Sequence, residues 1–192
     1  MGQRGISAGS QRRNGFTLVE LMIAMAVGLV VLAAVYSLFI FQNKRYSIEE
    51  QIVEMQQNAR AAMTTMVREI RMAGYDPNFD AASKVMTAAP TTFSFTTDDS
   101  SNNSTITYAF DSTNLKITRN INLGGGQPLA ENIQSLAFTY YDADGTVTST
   151  PSVVKGVLIT ITARTSKPDS SYSSNGGYRT YALSSMVRPR NL

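Results

Sequence analysis

The stretch from Leu21 to Phe41 has no charged side chain, and nothing else in the sequence limits the fold so strongly. At about 1.5 Å of rise per residue it spans roughly 30 Å as a helix, the thickness of a bilayer hydrocarbon core. It reads as a transmembrane helix. Extended upstream to Phe16, the apolar stretch contains one carboxylate, Glu20. An acid in hydrocarbon costs on the order of 2–3 kcal/mol on insertion scales. Glu20 therefore either stays hydrated near an interface or has a partner and a function.

Charge is distributed unevenly around this run. Arg4, Arg12 and Arg13 all precede Phe16, in a leader that holds no acid. Removing those three from the 17 basic residues leaves 14, which match the 14 acids of the body. The pI of 9.2 and the net charge of +3 thus belong to the leader. A neutral body gives no basic stripe for nucleic acid, so nucleic acid is not an expected partner. Lys44 and Arg45 follow the run beside Glu49 and Glu50, so the positive-inside bias places the N-terminus in the cytoplasm and the C-terminal part outside. No Ala-x-Ala-like site closes the apolar run, which passes into polar helix and is expected to persist in the mature protein.

Composition removes most chemistry. The 192 residues contain no cysteine and no histidine. Thiolate and imidazole metal sites, Ser-His or Cys-His nucleophiles and the usual neutral-pH proton shuttle are excluded. A membrane-anchored hydrolase would need paired carboxylates in a cleft, and the acids are scattered near turns. No catalytic residue and no cofactor are expected.

The run Gly15-Phe16-Thr17-Leu18-Val19-Glu20, followed by a long apolar stretch, resembles the class III signal of type IV prepilins and type II secretion pseudopilins. The resemblance implies a membrane peptidase that cuts between Gly15 and Phe16 on the cytoplasmic side and N-methylates Phe16. It also implies that Glu20, fifth in the mature chain, neutralises the N-terminal amine of a neighbouring subunit. A charge unpaired in the monomer and paired in the polymer favours assembly in register.

Beyond the membrane run the helix continues. Ile48, Ile52, Met55, Ala59, Met63, Met66 and Ile70 recur at three- and four-residue spacing, with Glu49, Glu50, Glu54, Arg60, Arg68 and Glu69 elsewhere on the wheel. The stripe faces a domain, the methionines serve as core filler, and Gly74 and Pro77 stop the helix. Period-two alternation follows in Thr91–Thr97, Thr105–Phe110, Leu115–Asn120, Asn132–Tyr141, Val153–Arg164 and Tyr178–Val187. Six strands after one long helix predict an α+β fold, a helix on one face of a mostly antiparallel sheet. The boundaries read as leader 1–15, transmembrane helix 16–41, amphipathic helix 42–74 and β-rich head 75–192.

Three other features have plain readings. Gly124–Gly126 lacks the Lys-Ser/Thr and following helix of a phosphate loop, and reads as a flexible connection. Asp142-Ala143-Asp144-Gly145 reads as a hairpin turn, with Asp142 and Asp144 as a calcium candidate short of the remaining ligands. Ser166–Gly177 reads as a mobile surface loop.

Arg71-Met72-Ala73-Gly74-Tyr75, Glu131-Asn132-Ile133-Gln134-Ser135-Leu136 with Tyr140–Gly145, and the terminal Val187-Arg188-Pro189-Arg190-Asn191 are similar to PilW-type minor pilins and the related J-type pseudopilin. The resemblance implies a minor pilin that takes part in assembling or priming a type IV pilus. It is a substrate of an enzyme rather than an enzyme. Its implied partners are the prepilin peptidase, other pilin and minor pilin subunits, the inner membrane and the pilus assembly platform. It implies a single-pass inner-membrane protein with a periplasmic head, later in the fibre or at its tip. A minor pseudopilin of type II secretion and a tip adhesin or DNA-uptake subunit remain open.

Overall fold

A computed structural model describes residues 15–76, 85–98, 103–122 and 124–192. The leader arginines and Pro77 lie outside these residues. Helix α1 spans Leu18–Arg71, and the chain divides into two compact units, Met1–Tyr46 and Ser47–Leu192.

In the first unit every described side chain is exposed. α1 is the one helix among the described residues that is long and apolar enough to cross a membrane. In the second unit α1 buries Met55, Ala59, Ala62, Met63, Met66 and Ile70, with Ile52 partly buried beside them. That is the expected stripe.

The helix stops at a residue whose geometry only glycine tolerates. Gly74 has φ +79°, and a Cβ there would lie 2.7 Å from Leu192 Cδ2 and 2.8 Å from the Asn191 carbonyl oxygen. The Gly74 N–H donates to Thr96 O at 2.8 Å, handing the chain to the sheet, and Arg190 N–H donates to Arg71 O at 3.2 Å. Two of the sequence segments singled out above, 71–75 and 187–191, therefore meet.

The head contains two antiparallel sheets where the sequence reading expected one. The first has the order β1 (Val85–Ala89), β2 (Thr92–Asp98), β3 (Asn103–Asp111), β4 (Lys116–Ile121), β5 (Gln127–Ala130). In the second, β7 (Val147–Thr148), β6 (Ile133–Tyr141), β8 (Gly156–Arg164) and β9 (Thr180–Val187) lie in that order. The six expected strands are present, and β1, β5 and β7 are additional. β5 carries Pro128, which suits an edge strand, and β7 has two residues. Neither is long enough to show alternation. β8 begins at Gly156 rather than Val153 because Pro151–Val153 forms a 3-10 turn.

β6 joins the sheets. Its Ile133 and Phe138 N–H groups donate to Leu115 O at 2.8 Å and Pro90 O at 2.7 Å, the carbonyls of two hairpin turns of the first sheet. Tyr140 Oη donates to Ala89 O at 2.7 Å and lies 3.1 Å from Thr92 O, bracketing the β1–β2 turn. Phe93 is at the centre of the core, with ring centroids 5.4 Å from Phe95, 5.8 Å from Phe138 and 5.4 Å from Tyr140. Such tilted aromatic contacts add about 0.5–1.5 kcal/mol each beyond area burial.

Candidate functional site

Gly15, Phe16 and Thr17 precede the helix without regular secondary structure, and Phe16 is 85% exposed. Among the described residues a Cβ built on Gly15 would meet nothing within 4 Å, so none of them requires glycine there on steric grounds. Thr17 Oγ1 accepts the Glu20 N–H at 3.2 Å, and Thr17 O accepts Leu21 N–H at 3.1 Å. Thr17 is thus the N-cap of α1, and Thr17-x-x-Glu20 has the spacing of a capping box. Thr17 is not among the site residues expected from the sequence, and the capping-box spacing is the signal that marks it.

Glu20 is exposed in the first turn. There the helix dipole favours negative charge by about 0.3–1 kcal/mol. Among the described residues the ion pairs are Lys116–Asp111, Arg119–Glu69 and Arg179–Asp169, and none includes Glu20. Gly15, Phe16 and Glu20 are neighbours through the local chain alone.

Other candidate residues lie in the head. Asp142 Oδ1 accepts the N–H groups of Asp144 at 3.0 Å and Thr146 at 2.8 Å, which fixes the β6–β7 hairpin turn. Among the described residues no three Asp or Glu side chains gather as a cation would require.

Two charged groups correct the sequence reading. Glu69, placed on the polar face of the helix wheel, is half-buried. Its Oε2 accepts Arg119 Nε at 2.9 Å and the Tyr108 hydroxyl, binding the end of α1 to β3 and β4. Burial, followed by the hydrogen bond to Glu69, pushes the Tyr108 phenol well above its usual range. The hydrogen bond to Glu69 likewise raises Arg119.

The segment expected as a mobile loop is closed. Arg179 Nη2 and Nε donate to Asp169 Oδ2 at 2.8 and 3.1 Å, while Ser171 N and Oγ donate to Oδ1 at 2.9 and 2.6 Å. Those bonds, led by the Ser171 hydroxyl and then Arg179, lower the Asp169 carboxyl to about 2. Gln51 Oε1 of α1 accepts Ser166 Oγ at 3.1 Å and Lys167 N–H at 2.9 Å. The loop is therefore tied to the helix as well as to itself.

Residues 10–36 match the family model of the prokaryotic N-terminal methylation motif. The match takes in Gly15, Phe16, Glu20 and the first part of the apolar helix, and no curated protein matches the chain. The motif and the exposed apolar helix support a type IV pilin-like or pseudopilin subunit with a membrane anchor. The motif implies processing by a prepilin peptidase and assembly with other pilins. Proteins of that kind are structural subunits.

Proposed function

We propose that this chain is a minor pilin of a type IV pilus, cut between Gly15 and Phe16, methylated on Phe16 and assembled through Glu20. The reading is supported by one observation above others. The methylation motif at residues 10–36 opens a helix on which Glu20 is the one charged residue between Phe16 and Phe41. Cleavage removes Arg12 and Arg13 after they have oriented the insertion, and creates an amine four residues from Glu20. No described residue crowds the Gly15 Cβ position, which supports reading that glycine as what the peptidase requires at the bond. The head then faces the periplasm, and the subunit passes from inner membrane to fibre.

Co-expression with a prepilin peptidase, followed by mass spectrometry of the mature protein, tests this. The expected first residue is Phe16 carrying one added methyl group. An intact N-terminus, or a cut beyond Phe41, overturns the proposal. Recovery of the chain in sheared surface filaments distinguishes the pilus from a secretion complex.

A further inference from the structure

The four sheet edges of the head are not equally protected. β1 breaks register between Val85 and Thr87, β5 carries Pro128, and β7 has two residues. Such devices keep an edge from acting as a template for another chain. β9 has none of them. Its eight residues, Thr180–Val187, include no proline and no charged side chain, and they pair with β8 without a break from Arg164↔Thr180 to Val157↔Val187.

Thr165 N–H donates to Arg179 O at 2.9 Å, which sets the phase of that ladder. Bonding alternates along an antiparallel strand, so Tyr181, Leu183, Ser185 and Val187 bond to β8 while Thr180, Ala182, Ser184 and Met186 turn N–H and C=O outward. The outward four are exposed. Among the described residues no turn, loop or cap bond reaches the backbone of 180–187.

β9 runs beside α1 in the same direction. Contacts progress from the Arg60 guanidinium, 5.9 Å from the Tyr181 ring, to the Arg190 N–H that donates to Arg71 O at 3.2 Å. Between them Ser185 shares a groove of about 510 Å³ with Met63, Val67 and Met72. Arg68, Arg71 and Arg190 also line it, and among the described residues no acid does. None of the three enters an ion pair among those residues. An open strand edge thus borders an apolar floor ringed by cations.

We propose that β9 receives an extended acidic segment of a partner protein, which adds an antiparallel strand to the second sheet and seats alternate side chains in the groove. Backbone bonds to the outward groups of β9 hold the strand, and the groove selects its sequence. Side chains opposite Leu183 and Ser185 face the apolar floor, and those opposite Val187 and beyond meet the arginines. The incoming strand therefore starts with carboxylates, which gain charge-assisted bonds to guanidinium, and continues with apolar residues at every second position. The leader would bring arginines of the wrong sign, and a second copy of β9 would bring no acid. The site lies wholly in the unit Ser47–Leu192, so it is independent of processing at Gly15.

The probe is an end-blocked peptide, Glu-Thr-Glu-Thr-Ile-Thr-Ile-Thr, added to the full chain in zwitterionic detergent, with amide exchange followed by NMR. In the free chain Ala182, Ser184 and Met186 should exchange quickly, and Leu183 and Ser185 slowly. The peptide should slow the first set at least tenfold and leave the second unchanged. N-methylation of its second and third threonines, whose amides face β9, should abolish the protection, whereas N-methylation of its isoleucines, whose amides face away, should not. Arg68→Glu with Arg71→Glu should also abolish it. A peptide with lysines in place of the glutamates should then restore it, which shows that the reversed chain folds.

Protection that appears without peptide and grows with chain concentration gives the edge to a second copy and overturns the proposal. Slow exchange at Ala182, Ser184 and Met186 in the dilute free chain overturns it as well. So do an absence of binding, binding that leaves those amides unprotected, and equal binding of the glutamate and lysine peptides to the unaltered chain.

Discussion

Gly74→Ala puts two penalties on one residue. The backbone φ of +79° lies in the left-handed region. A Cβ in that region costs about 1–2 kcal/mol. The new Cβ would also stand 2.7 Å from Leu192 Cδ2 and 2.8 Å from Asn191 O. Carbon contacts prefer about 3.5–4.0 Å, so relief of roughly 1 Å is needed. Leu192 can rotate aside, but the Asn191 oxygen is backbone, and moving it disturbs the Arg190–Arg71 bond. Overpacking of this kind costs about 1–3 kcal/mol, giving a total of about 2–5 kcal/mol. Urea unfolding of the detergent-solubilised chain measures it, followed by fluorescence of its nine tyrosines in the absence of tryptophan. Deleting Asn191 and Leu192 removes the clash and leaves the φ penalty. In that background the cost of Gly74→Ala should fall to about 1–2 kcal/mol. An equal cost in both backgrounds, or a full-length cost below about 1 kcal/mol, refutes the steric argument.

Five further outcomes follow. Tyr140→Phe removes the hydroxyl that brackets the β1–β2 turn. In the same urea assay that loss should cost about 0.5–1.5 kcal/mol, the net worth of a hydrogen bond to part-buried acceptors. Arg119→Met leaves the half-buried Glu69 with Tyr108 alone. It should cost about 1–3 kcal/mol, while Glu69→Gln costs less and the double variant less than the sum. Asp169 has a carboxyl lowered from an ordinary 3.8 to about 2 in the folded chain. Its contribution is therefore complete above the ordinary value and lost as pH falls through the folded one. Limited proteolysis of the 165–179 loop should rise across that window, and Asp169→Asn should abolish the pH dependence. Glu20→Ala should leave cleavage after Gly15 intact and impair filament incorporation. Thr17→Ala removes the oxygen that accepts the Glu20 N–H, and faster amide exchange at Glu20 should report it. Loss of such a cap weakens a helix start by about 0.5–2 kcal/mol.

The sequence by itself determined the features that depend on neighbours along the chain. The uncharged run from Leu21 to Phe41, the Met55–Ile70 stripe, the alternation in β2, β3, β6 and β8 and the stop at Gly74 all report which side of a local element meets apolar surroundings. Periodicity carries that information because one helix or strand presents its faces at fixed intervals. The same holds for the Gly15–Glu20 signal, a linear pattern with a meaning separate from the head.

The tertiary structure decided what joins distant residues. Glu69 looked like any exposed helical acid until β3 and β4 brought Tyr108 and Arg119 against it from 39 and 50 positions away. Asp169 and Arg179 closed a loop whose serines and glycines signal only turn and flexibility. The division into two sheets rests on β6 pairing with β7 and β8 while it meets the first sheet at the turn carbonyls of Pro90 and Leu115, and the short strands β1, β5 and β7 exist because longer neighbours offer them an edge. Pairing partners are set by the packing of the whole chain, since an unpaired backbone group or half-buried charge is satisfied by whatever the fold delivers to it.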